Sequence, residues 1–271
     1  MQATFTKRGT PETASLEGEA AALRWLGKAT ADGGMPVACV VSASPFELVE
    51  CRVATGPASP TAAERVGIAL ARTHAAGAPW WGAAPPGWQG DYLIDHSYTP
   101  TVSADDAPAT WGAFFARWRI LPYLRQALSV GALREDEAAV VERVAARLKA
   151  GDYDAPQPGL LAASGRTVAR IHGDLWSGNL LWDADPANPV GATLIDPMAH
   201  GGHAETDLAM LALFGCPYLD RIVAAYHEAS PLADGWRDRV ALHQLAPLLH
   251  HCALFGRSYA AETLAVARRY A

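Results

Sequence analysis

Ile171-His172-Gly173-Asp174-Leu175-Trp176-Ser177-Gly178-Asn179, with Leu194-Ile195-Asp196-Pro197 a short way on, says most about this chain. Two acids and an amide stand in the order that metal-assisted phosphoryl transfer requires. Such chemistry needs donor and acceptor oxygens aligned and the spread negative charge neutralised, with little covalent help. Asp174 is placed to accept a hydrogen bond from an attacking hydroxyl and to take its proton late. Asn179 is neutral and oxygen-bearing, which suits Mg²⁺, and Asp196 adds a charged ligand. Gly173 and Gly178 let the loop backbone pack closely around these groups. Taken singly, Asp174 reads equally well as an Asp-capped turn and Asp196 as an ordinary Asp-Pro turn. The set of three between apolar strands is what points to chemistry.

Around this core, Leu180 to Asp183 and Ala192 to Asp196 read as two short strands bracketing the acids. The first fifty residues read as strand, helix, strand, strand: Ala3–Lys7, then Ser15–Leu26 with Leu16, Ala20, Leu23 and Leu26 at helical spacing, then Val37–Val41 and Phe46–Cys51 around a Ser44-Pro45 turn. After Arg52 helices dominate. Thr61-Ala62-Ala63-Glu64 has the form of a capping box opening a helix to about Ala76. A loop rich in Gly, Pro and Trp follows from Gly77 to about Ala107, longer than most connections without a task. Further helices are expected over Ala109–Val130 with Pro122 inside, over Glu135–Lys149, and from Asp207 onward, with Asp152–Pro158 a polar connector. The expected division is residues 1–52 as a small N-terminal lobe and 53–271 as a helical C-terminal lobe.

At 271 residues, half of them hydrophobic and 18% charged, the chain has material for a sizeable core and two lobes. A formal charge of −6 argues against a nucleic-acid binder. It fits a protein handling small molecules. No apolar run approaches the roughly 20 residues of a membrane span, and the N-terminus lacks a signal-peptide core. Cys39, Cys51, Cys216 and Cys252 form no C-x-x-C pair, so neither a zinc knuckle nor a disulfide framework is expected and a reducing cytoplasm is.

Lys7 ends the first strand and Glu19 lies in the next helix, the order in which a strand lysine touches nucleotide phosphates and a glutamate holds it. Glu17 competes for that pairing. Glu50, in Leu48-Val49-Glu50-Cys51, sits on the strand that would lead into a hinge where backbone groups meet an adenine ring. Asp207 reads as a helix N-cap that also braces the acidic loop. His172 reads as support for that loop. His200 and His203 with Glu205 admit a metal-hydrolase reading, weakened by the glycines between the histidines. His250-His251 reads as packing. Trp80-Trp81, Trp88 and Tyr92 either line a pocket or cover apolar surface.

The chain resembles the fructosamine kinase (ketosamine kinase) family, an aminoglycoside-phosphotransferase variant of the protein-kinase fold. The resemblance lies in His172 to Asn179, in Ile195-Asp196-Pro197, and in Glu205-Thr206-Asp207-Leu208-Ala209-Met210 with Leu213-Phe214-Gly215. It continues in Leu254-Phe255-Gly256, in Ser258-Tyr259, and upstream in Trp111, Phe114-Phe115, Arg119 and Pro122. It implies an α+β two-lobe fold and an ATP- and Mg²⁺-dependent kinase of a ketosamine hydroxyl. Asp174 would be the catalytic base, Asn179 and Asp196 metal ligands, and Lys7 the phosphate-binding lysine with Glu19 its partner. Trp176 would be the stacking surface for the sugar. Three departures stand out. The family's glycine-rich flap precedes its lysine strand, whereas six residues precede Lys7, so the N-terminal lobe is expected to be partial. The long loop has Asp91-Tyr92-Leu93-Ile94-Asp95 where the family has Asp-Asn-x-Ile-Gly, and Ala204 replaces a usual arginine. The expected partner is a small molecule, with no nucleic acid and no membrane, on a monomer or homodimer. An aminoglycoside- or choline-like acceptor and a degenerate, non-catalytic binding protein remain as alternatives.

Overall fold

Alternating residues in the first fifty positions build an antiparallel sheet with one helix against it. The computed structural model describes residues 3–271. Strands β1 (Thr4–Arg8), β2 (Val40–Ala43) and β3 (Glu47–Cys51) pair in the order β1-β3-β2, with helix α1 (Leu16–Gly27) between the first two in sequence. Lys7 stands opposite Leu48, so the two side chains share a face, and Glu50 two residues on shares it too. That face meets α1 through Leu16, Ala20 and Leu48. The register therefore brings Lys7, Glu19 and Glu50 together. The strand expected from Val37 begins at Val40 instead. Val37 forms a parallel bridge to Leu194, flanked by hydrogen bonds from the Ala38 amide to the Leu194 oxygen (2.9 Å) and from the Leu194 amide to the Pro36 oxygen (2.9 Å). This seam ties the small lobe to the strand that leads to Asp196.

Helix α2 (Pro60–Ala75) starts earlier than the capping-box pattern predicts. Its cap is Ser59, whose hydroxyl accepts from the Ala62 amide, because Pro60 supplies a preset φ and has no amide to leave unpaired. The long loop after α2 folds a hairpin of β4 (Tyr92–Ile94) and β5 (Ser97–Thr99). Ser15 Oγ donates to the Asp91 oxygen and accepts from the Leu93 amide, fastening the hairpin to the start of α1.

Helices α3 (Trp111–Phe115) and α4 (Leu121–Ser129) are joined by a π-type turn over Ala116–Ile120, not by one regular helix. Pro122 has no amide to give the Trp118 carbonyl four residues back, and Arg119 Nη1 donates to that oxygen at 2.7 Å. Next come α5 (Glu135–Ala150), α6 (Gly159–Ala163), β6 (Ala169–Ile171), β7 (Leu180–Trp182), β8 (Ala192–Leu194) and β9 (His200–Gly202). Helices α7 (Glu205–Leu213), α8 (Leu219–Ala229), α9 (Trp236–Phe255) and α10 (Ala260–Tyr270) complete the chain. Strand β6 pairs with β9, and β7 with β8, so two small antiparallel ladders hold the acidic loop.

Two apolar cores flank that loop. One gathers α3, α4, α5, α9 and α10 around Phe114, Phe115 and Leu249, and the other gathers α2 and α8 with the β6–β8 strands around Leu70, Ile171 and Tyr226. Burying each such Phe or Leu side chain contributes roughly 1.5–3 kcal/mol, so the loop rests between two stiff supports. Among the described residues no helix is long and apolar enough to cross a membrane, and all four cysteines are free.

Candidate functional site

Asp174 leaves the end of β6 in a loop that is tied at every step. Asp207 accepts from the amides of His172 (2.7 Å) and Gly173 (3.0 Å) and from His74 Nε2 (3.1 Å). Asp207 therefore braces the loop as expected, but from the third residue of α7 and not as its N-cap. Burial alone would raise its pKa, and the hydrogen bonds from His74 and the loop hold it down instead. His172 Nδ1 accepts from the Asp174 amide (3.2 Å), which leaves Nε2 to donate to the Ile195 oxygen (2.8 Å). Its role is support. Gly173 has φ +83°, and a Cβ there would stand 2.3 Å from the Met198 oxygen. Gly178 is needed for another reason: the Trp176 ring lies over it, 2.2 Å from where a Cβ would be.

Asn179 Nδ2 donates to the Asp174 main-chain oxygen (2.9 Å) and to its carboxylate (3.0 Å). That fixes the carboxylate and leaves the Asn179 side-chain oxygen for the cleft it lines. Burial, with the negative charges of Asp196 and Asp207 nearby, pushes the Asp174 pKa up to about 7 against the Asn179 hydrogen bond. Asp196 lies just past β8 with φ +55°, a left-handed conformation that Asp tolerates better than most residues. Such outliers concentrate where a side chain must be aimed.

Lys7 Nζ is ion-paired with Glu19 and Asp196, and Glu50 Oε2 lies 3.8 Å away. Glu17, the competing partner, does not reach Lys7 and faces a separate surface groove beside Arg24. Three carboxylates therefore crowd one ammonium. Burial alone would lower the Lys7 pKa, and its acidic neighbours outweigh that and raise it. Burial lifts Glu19 to about 7 and also lifts Glu50, each opposed by Lys7. Glu50 Oε1 is buried with no partner, whereas the Asp196 side chain is 41% exposed and meets Lys7 through Oδ1, which leaves Oδ2 for a cation. An unbalanced set of oxygens beside a solvent-facing Asp and the Asn179 carbonyl fits a hard divalent ion such as Mg²⁺.

These residues share one trough of three connected basins. The first, about 390 Å³, lies between the sheet and the β8 end, with Glu50, Cys51 and Val53 in its wall. The middle basin, about 510 Å³, shares Lys7 and Asp196 with the first and adds Glu19, Asn179 and Asp174. The third, about 370 Å³, shares Asp174 and Trp176 with the middle one and is walled by Phe214, His251, Phe255 and Tyr259. Lys7, Glu19, Glu50, Asp174, Trp176, Asn179 and Asp196 all lie on this trough.

Other expectations resolve differently. His200 turns its Nδ1 to the Met198 oxygen and stays outside the His203, Glu205 and His243 group. Arg239 takes both oxygens of Glu205, at 2.9 and 2.7 Å, and both His203 nitrogens are already hydrogen-bonded, so the acid's charge is matched inside the protein, and in this group only His243 Nε2, 3.4 Å from Glu205 Oε2, lacks a hydrogen bond. Trp80 and Trp81 are structural, the first donating to the Val102 oxygen and the second packed on Phe114. Trp88 packs on Gly18 of α1. Tyr92, Leu93, Ile94 and Asp95 of the hairpin roof the middle basin. Sequence reading had assigned no role to Phe214 and Phe255. Each is an exposed ring at a helix end followed by a left-handed glycine, Gly215 or Gly256, and that repeated Phe-Gly signal could have marked them.

A profile of the fructosamine kinase family matches residues 3–270. The chain belongs to that family. It is 42% identical to a solved structure from Thermobifida fusca assigned as a candidate fructosamine-3-kinase, with a TM-score of 0.82 over 98% of this chain and 85% of that one. The fold is thus the two-lobe, protein-kinase-like α+β architecture that the resemblance implied. Among curated family relatives, the probable ketoamine kinase of Synechocystis is 36% identical over 197 residues, 72% of this chain and 57% of that protein. The ketosamine-3-kinase of Mus musculus is 32% identical over 178 residues, 66% of this chain and 52% of that protein. The matched region thus spans about half the length of the curated relatives.

Proposed function

We propose that this protein transfers the γ-phosphoryl group of ATP to a hydroxyl of a ketosamine. The observation that carries the reading is that Lys7 with Asp196, then Asn179, then Asp174 line one trough from the sheet side to the aromatic side. Membership of the fructosamine kinase family supports it. The basin beside Glu50 and Cys51 accommodates the base and Lys7 pairs with the phosphates, with Glu19 holding the ammonium in place. Asn179 and Asp196 would hold Mg²⁺, which when bound supplies positive charge against the phosphate oxygens. Asp174 accepts a hydrogen bond from the acceptor hydroxyl and takes its proton as the new P–O bond forms. A pKa near 7 suits that task, since the carboxylate is available at neutral pH and still basic enough to receive a proton.

The acceptor side favours a sugar-amine adduct over a polycation. Its basin contains a single carboxylate, Asp174, among Trp176, Phe214, Phe255, Tyr259 and two histidines. Aromatic faces stack on the apolar side of a sugar or shelter a single amine. A polycationic aminoglycoside would find too few carboxylates here to pair its ammonium groups. Purified protein given ATP, Mg²⁺ and fructosyl-lysine or ribulosyl-lysine is expected to release ADP and yield the phosphorylated adduct. ADP release with aminoglycosides or choline but with no ketosamine would overturn the acceptor assignment.

A further inference from the structure

One inner pocket is not filled by the reading above. Behind Asp174 lies a cavity of about 50 Å³, bordered on one polar side by Arg119, His250 and His251, on another by Asp174 and Asp207, and elsewhere by rings such as Phe114 and Tyr123. Three buried side-chain nitrogens without hydrogen-bond partners belong to its wall: Arg119 Nη2, His250 Nε2 and His251 Nδ1. Arg119 is 5% exposed and His250 7%. Neither is free to look for a partner elsewhere. Arg119 Nη1 is committed to the oxygens of Pro100 (2.8 Å) and Trp118 (2.7 Å), and its guanidinium lies over the Phe114 ring. His250 is stacked on Tyr123 with ring centroids 4.6 Å apart, and burial keeps it neutral. A buried donor left unpaired costs about 1–3 kcal/mol, so whatever fills this space must offer hydrogen-bonding atoms.

The cavity opens toward the acceptor basin, because Asp174, Met198, His250 and His251 line both. We propose that it receives the hydroxyl-bearing tail of a polyol acceptor, with Arg119 Nη2 and His250 Nε2 hydrogen-bonded to hydroxyls adjoining the one that faces Asp174. This rests on the ketosamine reading and orients it: the tail points inward, and the amine substituent lies outward under Trp176 and Phe214. The space suits that cargo. It holds a few waters, at about 10–15 Å³ each, or one or two hydroxyl-bearing carbons in their place. Arg119 on one wall is balanced by Asp174 and Asp207 on another, so the space matches a neutral, hydroxyl-bearing group that reaches the unpaired nitrogens. Specificity follows, because an acceptor that displaces the water without supplying hydroxyls leaves both nitrogens unpaired.

The test is calorimetric titration of fructosyl-lysine, and of a lysine adduct truncated to a single hydroxyl-bearing carbon, into the full-length protein and its His250→Leu and His250→Gln variants. Melting curves identify any variant that fails to fold. The wild type is expected to bind fructosyl-lysine about tenfold or more tighter than the truncated adduct, as for one or two good hydrogen bonds. His250→Leu is expected to remove most of that ratio and His250→Gln to keep part of it. An unchanged ratio in His250→Leu, or equal affinities in the wild type, would overturn the proposal. A titration with Mg·ATP run alongside separates the levels: adduct binding that ignores the tail sinks the tail site alone, nucleotide binding without adduct binding sinks the ketosamine assignment with it, and the absence of both sinks the kinase reading.

Discussion

Two buried acid clusters in this molecule use similar residues and end up as opposites. In the first, Glu205 is flanked by His203 and His243 and gripped at both oxygens by Arg239. Burial would raise its pKa, but His243 and Arg239 bring it down to about 2. In the second, Glu19, Glu50 and Asp196 crowd around Lys7 alone, and burial lifts Glu19 to about 7. Asp174 nearby is lifted likewise. One cluster is closed in charge, with Glu205 matched by Arg239 and flanked by His243 Nε2 at 3.4 Å. The other is open, with surplus negative charge that only an incoming cation would settle. Buried acids alone therefore do not mark a site; the unbalanced charge does.

Substitutions should separate the two clusters. The largest expected effect is on turnover in Asp174→Asn, which keeps the shape but removes the base: a fall of about 10²–10⁴ in kcat. In the wild type kcat/KM should rise with pH through about 7, because the ionised carboxylate is the working form, and steady-state rates from pH 5.5 to 8.5 would check this. A flat profile would remove Asp174 from its role. Next comes stability in the closed cluster, where Arg239→Leu should cost about 3–5 kcal/mol in urea unfolding by leaving Glu205 buried and underpaired. Glu205 is depressed in the native state, so its contribution to stability is present above pH 4.5 and should fade as pH drops toward about 2.

Smaller effects sharpen the contrast. Glu19→Gln should slow turnover roughly ten- to a hundredfold by loosening Lys7. Glu17→Gln, two residues away on the same helix, should stay within about twofold. Equal losses in both would break the assignment of the Lys7 partner. The smallest effect has the opposite sign to Arg239→Leu. Asp174 and Glu19 are raised in the native state, so their charges cost stability above the ordinary carboxylate pKa, increasingly up to about pH 7. Asp174→Asn should accordingly raise Tm at pH 8 by about 2–4 °C for each ~1 kcal/mol relieved.

The sequence made the open cluster legible because its members sit at telling places. Asp174 and Asn179 lie in one short loop, Asp196 ends a strand, and the register that pairs Lys7 with Leu48 follows from simple alternation. What stayed hidden depends on long-range packing. Arg119 turns inward because Pro122 strands the Trp118 carbonyl, and nothing local announces that. The β4–β5 hairpin is three residues a side and is held by Ser15, 78 positions away from Leu93, so its own strand propensity gives little signal. Asp207 looks like an N-cap from its neighbours in sequence, whereas its carboxylate is spent on the His172 and Gly173 amides 35 and 34 residues upstream. Conversely, His203 and Glu205 looked like ligands until Arg239, 34 positions on from Glu205, was seen to close the set.

The central claim is that the open cluster is a metal-nucleotide site, and titration calorimetry of ATP into the full-length protein with and without Mg²⁺ tests it most directly. ATP should bind well only when Mg²⁺ is present, and Asp196→Asn should lose most of that dependence. Binding of equal strength with and without the ion, or no binding in either case, would contradict the account.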